Sequence, residues 1–389
     1  MMPLPLRQGI DRFDPATLGR GKVALIANHT AIDRTGRSTM DVLRDRGVKL
    51  SYLFSLEHGF FPVAQDMEAV RKEQKVRNIP VVPLYGDSAA SLVPSPDLLD
   101  RFDTVIYDVQ DIGSRYYTYL QSLSLFMDEL SIRPKRLIVL DRLNPIGGES
   151  VEGDPVQERY YSFVGRFPLP HRHGLTTGEA ARYYYTLKNY SFPFEIVLID
   201  GWRRDSFADE YDIPWMPTSP NMPTLDTAIL YPGGCLVEGT NLSEGRGTSF
   251  PFRVVGAPGI DPFKASDELT ALGLPGLRFL PLEFRPMFQK EAMKRCGGIY
   301  IDITDRRSVR PLRAYIAILS VFRGLLGDEG FFRVKPYEFV ADIPAIELLL
   351  GDTCLIDMFY KRAPLDEMDG YLATAEENWL LARRPFLLY

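Results

Sequence analysis

"TVIYDVQDIGSRYYTYLQSLSLFMDEL", residues 104–130, holds the decision about fold in one run. Residues 104–110 are short, apolar and rich in Val, Ile and Tyr, the composition of a strand buried on both faces. Residues 116–130 carry a helical pattern, and a polar turn with Asp111 and Arg115 lies between. A buried strand that feeds a helix is half of a βαβ unit.

The alternation recurs through the first half. "KVALIAN" at 22–28, "KLSYLFS" at 49–55, "RLIVLDR" at 136–142 and "FEIVLID" at 194–200 are further strands. Helices are expected at 38–45 and 177–187, where Thr177 followed by Glu179 marks a helix start. The fold class is therefore α/β, with a parallel, doubly wound sheet. Such sheets hold ligands beyond the carboxyl ends of their strands. The first strand runs into Asn28, His29 and Thr30, and the second into Glu57 and His58. The third delivers Asp108, Gln110, Asp111 and Arg115, and the fourth Asp141, Arg142 and Asn144. Any one of these is an ordinary cap or turn residue. Four strands together mark a site.

At 389 residues the chain exceeds what a single core holds, so two domains are expected, 1–224 and 225–389. A formal charge of −6 and the absence of any Lys/Arg run argue against nucleic acid. No phosphate-cradling GxGxxG or GxxxxGK[ST] follows a strand. Cys235, Cys296 and Cys354 are far apart and form no CxxC pair, so free buried thiols are expected and zinc is not. No window approaches the roughly 18 apolar residues that span a bilayer. Residues 1–19 lack a basic stretch followed by an apolar one, which predicts a cytoplasmic protein, or a secreted or periplasmic one whose leader has been removed.

The second block opens near Pro223. It brings "CLVEGTNLSEGRGTSFPF" at 235–252, a Gly-rich polar loop between apolar flanks. Gly costs about 1 kcal/mol relative to Ala inside a helix, so no regular element is expected there. Tethered polar loops of this kind suit binding or catalysis. After it come a strand at 297–305 and an amphipathic helix at 313–327, with Ile316, Leu319, Phe322 and Leu325 as core. Further helices are expected in "YEFVADIPAIELLLG" at 337–351 and "EENWLLARRPFLLY" at 376–389.

Three chemistries are open from the residues alone. Glu57 at an apolar strand end, with Glu238 or Glu244 from the loop, would make the pair of carboxylates that glycosidic hydrolysis uses. Asp108, Asp111 and Asp141 can instead hold Mg²⁺ for a phosphohydrolase. His29, His58 and His173 are candidate bases or hydrogen-bond partners, and Tyr116 a stacking surface for a sugar. A binding protein without turnover, gripping its ligand with the same carboxylates, is the third reading. No GxSxG elbow supports acyl transfer.

"LEHGFFPVAQD", "YDVQDIGSRYYTY", "LDRLNPIGGESVEG", "SFVGRFPLPHRHGLTTGE", "SPNMPT" and "YPGGCLVEGTNLSEGRGTSFPF" follow one another along the chain. In this order they resemble the NamZ-type exo-β-N-acetylmuramidases. The resemblance implies a Rossmann-like catalytic domain, a smaller α+β auxiliary domain, and a cleft between them that the EGTNLSEGRG loop completes. It implies release of N-acetylmuramic acid from the non-reducing ends of peptidoglycan-derived oligosaccharides or muropeptides, without metal or cofactor.

Carried onto this chain, the catalytic carboxylates would be Glu57 of EHG and Glu238 of EGTN. Asn221, Asn241, Glu244 and Arg246 would shape the pocket. The lactyl carboxylate of the sugar calls for an Arg fork, with Arg115, Arg142 and Arg246 as candidates. The sugar's 2-acetamido group can itself attack the anomeric carbon, which would make one carboxylate an orienting group. Two departures stand out. Leu56 replaces the Pro of the family's PEHG, and Phe60, Phe61 and Pro62 occupy a usually Gly-rich segment, where they are expected to border the cleft.

Overall fold

The computed structural model describes residues 3–70 and 75–389. Its main sheet has seven strands: β1 (Val23–Ala27), β2 (Leu50–Ser55), β3 (Lys75–Val76), β4 (Ile79–Pro83), β5 (Thr104–Asp108), β6 (Arg136–Leu140) and β7 (Phe194–Val197). Their order is β3-β4-β2-β1-β5-β6-β7, and every pairing is parallel except the β3–β4 hairpin. The chain winds outward from β1 through β2 to β4, returns to place β5 beside β1, and winds the other way. That reversal is a topological switch point.

Strand side chains alternate between faces, and each face has its own core. Ala24, Ile26, Val105, Tyr107, Leu137 and Val139 pack on one side, where helix Thr118–Ser131 lies. Val23, Leu25, Ile106 and Ile138 pack on the other, with Met40, Val42 and Leu43 of helix Thr39–Asp45. Helix Thr177–Leu187 starts on a capping box: Thr176 Oγ1 accepts from Glu179 N at 3.1 Å and Glu179 Oε2 from Thr176 N at 3.0 Å.

A smaller antiparallel sheet follows, β8 (Val254–Ala257), β9 (Leu277–Phe284) and β10 (Cys296–Ile303), with β10 in the middle. The expected loop at 235–252 differs in its first part. Helix Leu225–Gly234 contains Pro232 and passes directly into a 3-10 helix, Cys235–Gly239. Pro cannot donate the next backbone bond, and the small Gly233 lets helix Pro311–Leu326 approach: a Cβ there would sit 2.0 Å from Pro311 O. The segment expected to be helical at 337–351 is helical only over Ala345–Leu350. Of the cysteines, Cys235 and Cys296 are buried free thiols, but Cys354 is exposed. No helix among the described residues is long and apolar enough to cross a membrane.

The two halves of the chain are joined by buried polar contacts as well as by a shared apolar core. Glu152 Oε2 accepts the Leu312 N–H at 2.9 Å, capping helix Pro311–Leu326, and Trp379 Nε1 donates to His173 O at 2.9 Å. The Arg115 guanidinium donates to the carbonyls of Leu349 and Leu350.

Candidate active site

Glu57 lies two residues beyond the end of β2. The chain turns back on itself just after it: His58 has φ of 68°, and its Nδ1 lies 2.9 Å from Ala64 O. Glu57 is buried, and Thr118, at the start of helix Thr118–Ser131, donates from Oγ1 to its Oε2 at 2.6 Å. Neighbouring Tyr117 and Tyr119 donate to Thr218 Oγ1 and O at 2.5 and 2.7 Å, which ties the 213–222 segment against the helix start.

Glu238 comes from the opposite side, on the 3-10 helix. Both its oxygens are held: Arg246 Nη2 donates to Oε1 at 2.7 Å, and Tyr337 Oη to Oε2 at 2.7 Å. Arg246 also pairs with Glu244 at 3.1 Å and Asp66 at 3.5 Å, and lies over the Phe252 ring at 5.0 Å. Lys290 completes the network 2.7 Å from Glu244 Oε2. Burial pushes Glu238 up, and Asp66 adds to this while Arg246 opposes it. Burial works the same way on Glu244, but Lys290 and Arg246 outweigh it and hold that carboxyl below its usual value.

Glu57, His58, Tyr116, Glu238 and Arg246 line one narrow hollow of about 30 Å³, with Asp66, Tyr231, Tyr337 and Glu338. One oxygen each from Glu57, Asp66 and Glu338 falls within 4.8 Å of the others. Two full charges 4.8 Å apart repel by roughly 3.5 kcal/mol at an effective dielectric of about 20. The arrangement therefore favours at least one protonated carboxyl. Burial, then Glu57 and Asp66, push Glu338 well above the carboxylate range. Polar donors, an acid trio with Glu57 and Glu338 buried and Asp66 half-buried, and an aromatic wall suit acid/base work on an uncharged polar group such as a glycosidic oxygen.

Profiles described as "Exo-beta-N-acetylmuramidase NamZ, N-terminal" and "Exo-beta-N-acetylmuramidase NamZ, C-terminal" match residues 23–226 and 229–389. The chain belongs to the NamZ family. It is similar to the peptidoglycan β-N-acetylmuramidase NamZ of Bacillus subtilis (strain 168), 33% identical over 333 residues, which is 84% of this chain and 80% of that protein. Two crystal structures of DUF1343 family proteins from Bacteroides fragilis NCTC 9343 share the fold. One has a TM-score of 0.88 at 27% identity with all of both chains covered. The other has 0.78 at 25% identity over 99% of each chain.

The remaining candidates are placed elsewhere. Asp108 is held by Arg142 Nε and Thr39 Oγ1, while Asp141 accepts from Thr176 Oγ1 at 2.8 Å, Gly178 N at 2.6 Å and Tyr389 Oη at 2.8 Å. Asp111 caps Gly113 N at 2.7 Å, and burial raises it to about 7. The three acids that the alternative Mg²⁺ reading would group together are thus engaged separately, each by its own partners. The acid trio that does converge is a different one.

Arg142 donates to Ile32 O at 3.0 Å as well as to Asp108, so neither it nor Arg115 lines the hollow. Of the three candidate arginines only Arg246 does, and three carboxylates already surround it. Asn28 holds its own turn through Thr30 N at 3.0 Å, and Asn144 Nδ2 donates to Leu175 O at 3.0 Å. His173 Nδ1 accepts from Leu175 N at 3.1 Å, and burial, then Arg383, lower its ring to about 3. Asn241 Nδ2 donates to Gly330 O at 2.7 Å, away from the hollow. Asn221 Nδ2 reaches Gln65 Oε1 at 2.9 Å on the rim. Phe60 does not border the cleft but joins the core beneath β1, whereas Phe61 is 56% exposed.

A roomier hollow of about 280 Å³ sits at the β1/β5 switch point, lined by Thr30, Gln110, Arg142 and Trp215. Its size is greater, but the buried carboxylates are in the other one, and the chemistry goes with them. Sequence reading missed Asp66, Glu338 and Tyr337. Asp66 lies inside the "LEHGFFPVAQD" string but outside any strand end, and Tyr337 and Glu338 sit in a segment whose apolar neighbours read as helix.

Proposed function

We propose that the chain hydrolyses the β-glycosidic bond of a terminal N-acetylmuramic acid in peptidoglycan fragments, with Glu57 handling the proton of the leaving oxygen. One observation carries this reading: two buried carboxylates, from opposite sides of the hollow, converge on it with their orientations fixed. Thr118 aligns Glu57, and Arg246 with Tyr337 fixes Glu238. As the C1–O bond breaks, its electron pair stays on the leaving oxygen, which takes the proton. Water then supplies hydroxyl to C1 and returns a proton to the acid. Glu238, with both oxygens held, suits stabilising positive charge at the anomeric carbon rather than moving protons. The curated relative's name, a peptidoglycan β-N-acetylmuramidase, supports the substrate class.

The test is hydrolysis of a chromogenic β-N-acetylmuraminide by the wild type and by Glu57→Gln, with the β-N-acetylglucosaminide as control. Release from the muraminide only, falling by 10²–10⁴-fold in the variant, is the expected result for a lost general acid/base. Tight binding without turnover in the wild type would instead make this a muropeptide-binding protein.

A further inference from the structure

The chain at 337–340 is a tight two-residue hairpin turn. Tyr337 and Val340 exchange both backbone hydrogen bonds at 2.9 Å, and the residues between them, Glu338 and Phe339, have φ of 45° and 69°. Turns with both central residues left-handed ordinarily take Asn-Gly, because larger side chains resist that region. Here the turn sends consecutive side chains into the hollow: Tyr337 to Glu238, and Glu338 toward Glu57.

The surroundings of Glu338 are almost wholly acidic. Tyr85, from the loop after β4, donates to its Oε2 at 3.1 Å. Glu57 and Asp66 face it from the loop after β2, and Glu238 from the 3-10 helix. Arg246, the one arginine lining this hollow among the described residues, is engaged by Asp66, Glu238 and Glu244. No ion pair reaches Glu338 or Glu57 among the described residues. Two buried, unneutralised carboxyls thus meet within 4.8 Å, the arrangement in which a pair retains one proton where a lone carboxyl would lose it.

We propose that Glu338 is the proton partner of Glu57: the two carboxyls share one proton at neutral pH, and this is the proton delivered to the leaving oxygen. The inference rests on the hydrolytic reading above. In the step, the C1–O bond breaks and the leaving oxygen takes the shared proton. The doubly ionised pair then recovers a proton from the water whose hydroxyl joins C1. A lone Glu near its ordinary pKa would be almost wholly ionised at pH 7. Sharing with Glu338 keeps the acid loaded there. The raised pKa of Glu338, caused by burial and then by Glu57 and Asp66, agrees with this.

The experiment is the pH profile of kcat/KM for muraminide hydrolysis by the wild type, Glu338→Gln and Glu338→Asp. In Glu338→Gln the alkaline limb should move down by about one pH unit or more, toward the ordinary Glu value. The rate at pH 7 then falls about tenfold or more, while the rate near pH 4.5 stays within roughly threefold, as a titration shift requires. Glu338→Asp, which keeps a carboxyl, should restore the limb. An unchanged limb in Glu338→Gln, or an equal fractional loss at every pH, overturns the proposal, since either is what a structural role would give. Infrared difference spectra at pH 7 provide a readout that needs no turnover: the wild type should show one protonated-carboxyl band that Glu338→Gln lacks. Absence of that difference also overturns the proposal. If the band is lost as expected but the wild type cleaves neither glycoside, the shared proton stands and the hydrolytic reading falls.

Discussion

Arg246→Met isolates the charge that holds the pocket's second carboxylate. Arg246 is buried and sits 2.7 Å from Glu238, 3.1 Å from Glu244 and 3.5 Å from Asp66. Met keeps most of the volume over Phe252 and removes the charge together with the hydrogen bond it donates to Glu238. Glu244 retains Lys290 at 2.7 Å and Asp66 is only half-buried, so Glu238 is the buried carboxylate left without a cation. Breaking one side of a buried pair costs about 3–5 kcal/mol. The carboxyl can escape part of that by taking a proton, at about 1.4 kcal/mol per pH unit above its ordinary value. Relief from an ordinary value near 4.3 thus costs about 3.7 kcal/mol at pH 7 but only about 1 kcal/mol at pH 5.

The sign follows from linkage. Burial already raises Glu238 in the wild type, and loss of the opposing Arg246 raises it further in the variant, so the protonated form favours folding at low pH more strongly there. That advantage is lost as pH rises toward the raised folded value. Urea unfolding of both proteins at pH 5 and 8 should therefore show a gap that widens by about 3 kcal/mol toward alkaline pH. A gap of equal size at both pH values would show that packing over Phe252, not charge, is what Arg246 contributes.

Two further outcomes follow from single contacts. Thr118→Val removes the hydroxyl that orients Glu57 at 2.6 Å; a lost hydrogen bond to a charged group of about 1.5–3 kcal/mol should lower kcat roughly 10- to 100-fold with KM little changed. Glu152 is raised to about 7 by burial, with Arg310 and Arg172 opposing. Its contribution to stability is therefore present at low pH and lost as pH rises from the ordinary Glu value to about 7, so Glu152→Gln should flatten the wild-type decline by up to about 3 kcal/mol between pH 4.5 and 8. Parallel stability curves for the two proteins would refute that assignment.

The sequence announces most of the main sheet because buried strands are nearly pure in composition. The runs at 22–28, 49–55, 104–110, 136–142 and 194–200 all contain the strands observed. β4 was not legible: "IPVVP" carries a Pro at either end of its apolar centre, a turn signal that the parallel pairing to β2 overrides. β9 has Pro281 in mid-strand, which edge position in its sheet tolerates. At the site, Glu57 and Glu238 stand in distinctive strings, and their convergence was inferred from family resemblance rather than spacing. Glu338 was invisible for a physical reason. Its proximity to Glu57 depends on how a hairpin turn 281 residues away packs, and nothing local in "KPYEFVADIP" encodes the partner. Conversely, Asp108, Asp141 and Arg142 looked chemical because they end strands. Burial with mutual partners made them structural.

The two family profiles meet at residues 226 and 229, both within helix Leu225–Gly234. That helix runs without a linker into the turn bearing Glu238. Swapping halves between relatives at this boundary would therefore splice a helix, and one residue of phase error would rotate Glu238 by about 100° away from Glu57. Variation that leaves both the helical phase and the site residues Asp66, Tyr337 and Glu338 untouched is open at the exposed part of the rim, Phe61 and Val63. Engineers seeking new aglycone preferences face the same constraint, and grafted rim loops are the route it leaves open.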